Sequence, residues 1–281
     1  KNAGYSPFYP KPGIKSHKAL CCAKTHLAVG NVSKAKEAAE KEKEKAEKAK
    51  KRKNKKTDIK KKCQSVIELK NKLEELKSKR NLFHSEADFQ HSFALLLRNN
   101  DSIVRLEKPF YSNKKIKKIE LDIFLKNKNE NIGIELKYKT RKISNNKEIN
   151  IQNEKYRLSE QGAQNLGRYD FFKDVERLQQ LKDEKKIEKG YVIFLTNDPS
   201  YWKGAKKGSL SEKFCIKENN VINENSELSW PENTSEKSIS KTRTGSIIIK
   251  KELHLNWKKY SSPKEIELLG SKQFKYLLSE I

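Results

Sequence analysis

Asp122, Glu135 and Lys137 are the residues of this chain whose types and spacing could do chemistry together. They lie in IELDIFLKNKNENIGIELKY (119–138), two alternating runs joined by the polar turn KNKNEN. Ile119, Leu121, Ile123 and Leu125 alternate with Glu120, Asp122 and Phe124. Ile134, Leu136 and Tyr138 alternate with Gly133, Glu135 and Lys137. Such alternation around Asn-rich punctuation predicts the two strands of a hairpin. Side chains change face at every residue, so Glu120 shares a face with Asp122, and Glu135 with Lys137. Where those faces coincide, three carboxylates and an ammonium crowd an otherwise apolar sheet. Such crowding is costly unless something compensates it. The compensator expected is Mg²⁺, with Mn²⁺ as its substitute, because hard cations select carboxylate oxygens and keep waters and substrate phosphate besides. The bland alternative is a surface hairpin with cross-strand Glu–Lys pairs.

The order Asp122, a dozen residues, then Glu135-x-Lys137 resembles the signature of the PD-(D/E)XK nuclease superfamily, although Leu121 rather than proline precedes the aspartate. The resemblance implies an α/β fold of restriction-endonuclease-like type, with a mixed central sheet flanked by helices. It implies hydrolysis of nucleic-acid phosphodiester bonds, DNA being the expected substrate. Asp122 and Glu135 would hold the metal, and Lys137 would position or deprotonate a water, or neutralise charge on the phosphate. Glu86, on the first core helix, would support the metal site as a third acidic group. Gln164, on the helix after the signature, would orient phosphate or solvent. ELKYKTR, QGAQNLGRYDFFKDVERL and GYVIFLTNDPSYW are also similar to a group of uncharacterised bacterial proteins, over about residues 82–281. The rival reading is a non-catalytic nucleic-acid-binding or interaction module that uses the same fold plus a basic arm.

The elements that must position these residues can be read in outline. Ser85 precedes the apolar-periodic run ADFQHSFALLLRN, with Glu86 and Asp88 in the first turn, which predicts an N-capped helix. Glu86 and Gln90 fall one turn apart on it. IVRLEKPFY (103–111) reads as a first strand closed by Pro109, and GYVIFL (190–195) as a central strand covered on both faces. Between the hairpin and that strand, Ser159 is taken to open a helix running through EQGAQNLGRYDFFKDVERLQQLKDE. Helix followed by buried strand is a crossover unit and predicts a mixed sheet. SIIIKKELHLNW (246–257) reads as one late strand, and residues 271–281 as a short terminal element. Arg141 and Lys142, after the hairpin, and Arg168 and Tyr169, on the helix, are candidate nucleic-acid contacts; Lys155 flanks the same polar stretch.

Composition bounds the partners. Lys plus Arg is 63 against 37 acidic residues, a formal net charge of +26 over 281 residues. Such an excess points to polyanions, nucleic acid first. Residues 1–80 hold 25 basic and nine acidic residues, so most of the excess lies ahead of the expected catalytic domain. No apolar run reaches bilayer length, so no membrane partner is expected, and four cysteines including the adjacent Cys21 and Cys22 point to a reducing, cytoplasmic setting. The chain begins at Lys1 and has no methionine, which suits a fragment. Three regions follow. Residues 1–32 are an irregular leader, whose His17, Cys21, Cys22 and His26 are spaced wrongly for a zinc knuckle. Residues 33–81 are a basic, mostly helical arm, and 82–281 the nuclease-like domain. Within the arm, Ile59, Val66, Leu69, Leu73 and Leu76 make an apolar stripe. It can pack along the following domain, the preferred reading, or form a homodimer through residues 57–80.

Overall fold

The structure, a computed structural model, describes residues 40–41, 43–45, 47–50, 68–128, 130–142, 148–151, 153–263 and 273–281. The chain divides into two compact units, 1–65 and 66–281. In the first, the described residues between 40 and 50 are helical, and Lys48 pairs with Glu44 one turn away at 2.5 Å. The leader and most of the basic arm lie outside the described residues, as do the cysteine and histidine positions of the leader.

The second unit opens with a helix over 68–79 (α1). Its stripe of Leu69, Leu73 and Leu76 is buried in the same apolar cluster as Leu82, Phe83 and Phe93. The stripe is therefore covered within its own chain, and the unit starts ahead of residue 82. Next comes α2 (Glu86–Leu97), whose cap is as expected: Ser85 Oγ accepts from the Asp88 N–H at 3.1 Å.

Three strands follow: β1 (Ile103–Tyr111), β2 (Lys118–Lys126) and β3 (Asn131–Lys139). They form an antiparallel meander. Strand β1 continues through Pro109, which is tolerated because β1 is the edge of the sheet. A small hairpin, β4 (Ile149–Ile151) and β5 (Glu154–Tyr156), precedes α3 (Gln164–Asp183). Helix α3 starts four residues later than Ser159 predicts, behind Ala163 in a left-handed conformation at φ 58°. It leads back to β6 (Lys189–Thr196), which joins β3 in parallel.

A short helix α4 (Pro199–Lys203) and the two-stranded ribbons β7 (Asn220–Ile222) with β10 (Leu253–Leu255), and β8 (Glu227–Leu228) with β9 (Ile247–Ile248), follow. One further short helix, α5 (Glu236–Ile239), lies among them. The stretch read as one strand over 246–257 is thus broken into β9, β10 and the start of β11 (Trp257–Ser261). Finally β12 (Phe274–Glu280) lies antiparallel between β6 and β11.

The central sheet is mixed and six-stranded, in the order β1-β2-β3-β6-β12-β11. One face packs on α1 and α2 through Ile134, Leu136, Tyr138, Ile193 and Leu195. The other packs on α3 through Val192, Phe194, Phe171, Val175 and Leu178. This is the α/β architecture that crossover connections enforce. Among the described residues no helix is long and apolar enough to cross a membrane.

Candidate functional site

Strand β2 does not keep the simple alternation its sequence suggests. Ile119 and Leu121 pack in the α3-side cluster, whereas Ile123 and Leu125 pack in the α2-side cluster. The change of face occurs around Asp122. Opposite it, β1 is irregular as well: Leu106 pairs with Ile123 and Lys108 with Leu121, but Glu107, at φ 48°, is unpaired. A non-glycine residue held there stores backbone strain, and such strain gathers where geometry serves a site. The β2–β3 ladder also stops at this level, its last pair being Ile123 with Ile134. Asp122 and Glu135 are the next opposed positions, and there the strands part.

The backbone groups released by this parting are taken up by side chains. Asp122 Oδ2 accepts from the Leu136 N–H at 2.5 Å. Glu86 Oε2, reaching from the first turn of α2, accepts from the Tyr138 N–H at 2.7 Å. One turn on, Gln90 Nε2 donates to the Asp122 carbonyl at 2.7 Å and to Glu107 Oε1 at 2.6 Å. Two carboxylates and an amide therefore stand in for ladder bonds that buried backbone requires.

Glu135 and Lys137 point to the other side of β3, toward α3. Glu135 is wholly buried and receives both oxygens' partners from one guanidinium: Arg177 Nε and Nη2, each at 3.2 Å. Arg177 Nη2 also holds Asp174 Oδ1, one turn earlier on α3. Asp174 in turn pairs through Oδ2 with Lys137 Nζ at 2.7 Å. Glu135, Arg177, Asp174 and Lys137 thus form a chain of alternating charge between β3 and α3. Asp122 Oδ1 makes no hydrogen bond among the described residues.

The electrostatics follow from crowding. Burial pushes the Glu135 carboxyl well up, and Asp174 and Asp122 push the same way against Arg177 and Lys137. Burial also raises Asp122, opposed by Lys137 and the Leu136 N–H and reinforced by Asp174 and Glu86. For Lys137, burial disfavours the ammonium, but Asp174, Glu135, Glu86 and Asp122 outweigh it and raise the group above its ordinary range. Arg177 is held charged in the same way by Asp174, Glu135 and Asp122. Four carboxylates, Glu86, Asp122, Glu135 and Asp174, thus surround two cations.

Of the residues expected from sequence, Asp122, Glu135, Lys137 and Glu86 come together, with Gln90 beside them. Gln164 does not. It sits ten residues before Asp174, roughly 15 Å along the helix axis, and its Nε2 donates to Asp198 Oδ2 at 3.1 Å. Nor do Arg168 and Tyr169 form a surface patch. Arg168 is 6% exposed and lies about 120° round the helix from Asp174. It donates to Ser211 Oγ at 3.2 Å and the Ser200 carbonyl at 2.8 Å, and packs on the Tyr201 ring. Tyr169 is buried, stacks on Trp230, and donates to the Gly245 carbonyl at 3.1 Å. Arg168 builds the packing beneath α4 and Tyr169 the packing against Phe214 and Trp230; both read as exposed because their helix is covered on more faces than its polar sequence suggests.

Arg141 and Lys142 are exposed at the end of β3, their backbone held by Asn197 and Glu160. Glu120, opposed in register to Lys137, pairs instead with Lys118 at 2.7 Å on the surface. Sequence reasoning missed Asp174 and Arg177. Their i, i+3 spacing among the apolar positions Phe171, Val175 and Leu178 was the available signal, since charges that interrupt a buried helix face need partners. Glu107 had no such signal.

Among the described residues, no three or more His, Cys, Asp or Glu side chains are arranged to hold a metal. Mg²⁺ commonly takes only one or two protein carboxylates, the rest being waters and phosphate. Asp122 with its unbonded oxygen and Glu135 are donors of that kind, so the chemistry of the set suits Mg²⁺, while the Glu135 oxygens face Arg177. No family model, curated protein or solved structure matches this chain.

Proposed function

We propose that this chain is a metal-dependent phosphodiesterase acting on nucleic acid, DNA in the first place, built on the PD-(D/E)XK plan. One observation carries the reading: residues from α2, β2 and β3 that are far apart in sequence converge where β2 and β3 part. The succession of helix, three antiparallel strands, crossover helix and parallel strand supports the restriction-endonuclease-like assignment.

In this reading Asp122 and Glu135 would hold Mg²⁺, which would supply the charge needed to polarise a phosphodiester and lower the pKa of a water. Lys137 acts as an ammonium. Its surrounding carboxylates keep the proton on, so it neutralises charge developing on the phosphate rather than accepting a proton. Glu86 and Gln90 hold the parted strands in place through Tyr138 and Asp122. Asp174 orients Lys137. Gln164, Arg168 and Tyr169 have no part in the step.

A second reading is favoured by the pairing of Glu135 with Arg177 and of Lys137 with Asp174. If those ion pairs are permanent, the domain is a non-catalytic nucleic-acid-binding or interaction module. Incubating the protein with plasmid, linear and single-stranded DNA in Mg²⁺, Mn²⁺ or EDTA separates the two. The nuclease reading expects metal-dependent cleavage, lost in Asp122→Asn and Glu135→Gln variants that keep native circular dichroism. DNA left intact in every metal lane, with binding equal in all three proteins, would leave the module.

A further inference from the structure

Glu135 is the best buried carboxylate of the site and the least available. Both its oxygens are engaged by one guanidinium, in the bidentate geometry that arginine and carboxylate favour. A wholly buried carboxylate stays ionised only while a cation compensates it, because an unpaired charge in that position is prohibitive. A metal-ligating glutamate that is empty of metal therefore needs a substitute cation. Arg177 satisfies what such a substitute requires. It comes from α3, not from the parted strands, so it can leave without breaking the sheet. Its side chain is 28% exposed against 0% for Glu135, so it has a route toward solvent. Asp174 would lose one partner on its departure yet keep Lys137.

We propose that Arg177 is the cation that occupies the Glu135 oxygens in the metal-free protein, so that entry of Mg²⁺ and release of Arg177 are a single exchange. The inference rests on the nuclease reading and adds a residue to it. The exchange replaces one positive charge by two at the buried carboxylates and frees a planar, five-donor group at the rim. Phosphate oxygens of a bound polynucleotide are the natural acceptors for that group, since arginine takes phosphate in the same forked geometry as carboxylate. Arg177 thus couples metal binding to substrate binding: each ligand removes a competitor of the other.

The test is Mn²⁺ binding to the full-length chain, followed by electron paramagnetic resonance of free ion, for the wild type, Arg177→Gln, Arg177→Lys and the double variant Arg177→Gln/Glu135→Gln. Removing the resident cation should tighten Mn²⁺ binding by about tenfold, within the usual range of coupling between sites. Arg177→Lys, which keeps a charge, should bind nearly as the wild type does, and the double variant should lose the gain. Arg177→Gln retains donors for Glu135; a companion Arg177→Met variant gives the same comparison if the glutamine side chain occupies the oxygens. Mn²⁺ binding by the wild type with no gain in either neutral variant would overturn the exchange and leave the nuclease reading standing. Absence of Mn²⁺ binding in all the proteins would remove the nuclease reading and the exchange with it.

Discussion

Lys137 is surrounded by four carboxylates, which favour its ammonium form while no metal is bound. A lysine that serves as general base needs its pKa brought down toward neutrality; this one is displaced the other way. If the chain cleaves DNA as proposed, Lys137→Arg should keep part of the cleavage rate, whereas Lys137→Ala should lose about 10²–10³-fold in kcat, the usual cost of removing one group that stabilises developing charge. Single-turnover rates on DNA give both numbers. Asp174 supports two cations at once. Asp174→Ala should cost about 3–5 kcal/mol in urea unfolding, as expected when one partner of a buried ion pair is deleted.

Glu135 and Asp122 have opposite consequences for activity and for stability. Both carboxyls are raised. Under the proposed nuclease function they would be metal ligands that fail when protonated, so activity should fall with acid at a pH above the ordinary carboxylate range. For stability the sign reverses: the folded state holds these protons more tightly than the unfolded chain does. Their contribution is full below the ordinary carboxylate pKa and is lost as pH rises through the raised values. Glu135→Gln should therefore show a flatter decline of unfolding free energy than the wild type as pH is raised toward neutrality. Parallel declines would show that Glu135 does not titrate in this range.

At the scale of elements, α3 does the most to define the site and was the hardest helix to delimit. Ala163 ends the preceding loop in a left-handed conformation that the helix pattern does not announce. Gly167 has a reason to lie within the helix. A Cβ there would sit 2.4 Å from Tyr201 Oη and 3.2 Å from its ring, and Tyr201 is buried. Gly167→Ala should thus destabilise the fold by about 1–3 kcal/mol despite alanine's better helix propensity. Equilibrium denaturation that finds the variant more stable would mean the contact relaxes. The far end of α3 is tied to the β1–β2 turn by Glu184, which accepts from Ser112 Oγ and from Gln180 Nε2, and pairs with Lys186 at 2.8 Å. Lys186, Ser112 and Gln180 hold this carboxyl down to about 2. A depressed carboxyl stabilises above its ordinary pKa and loses that contribution as pH falls through the depressed one. Glu184→Gln should therefore be less stable than wild type at neutral pH, and the gap should close toward pH 2.

For the whole molecule the governing quantity is charge. Residues 1–65 carry 20 basic and six acidic residues, and the folded unit 66–281 carries the candidate site. Binding that depends on many phosphate contacts weakens steeply with salt. Removing 1–65 should flatten the dependence of DNA affinity on salt while leaving the Asp122 and Glu135 dependence of cleavage unchanged.

What the sequence determined by itself is what local pattern encodes. Ser85 and its following acidic turn placed α2; alternation placed β2 and β3; the apolar run of β6 between them and the C terminus required a parallel crossover and so a mixed sheet. The spacing of Asp122, Glu135 and Lys137 on adjoining strands made their meeting legible, because strand register is a short-range property. The partners of these residues were decided only by the tertiary structure. Whether Glu135 faces solvent or Arg177, and whether Arg168 lies on a surface or beneath α4, depends on which faces of α3 the later segments cover. The change of face at Asp122 lies opposite strained Glu107 in a neighbouring strand. Burial sets both the charge state and the availability of a polar group, and burial is a sum over elements that no single stretch of sequence contains.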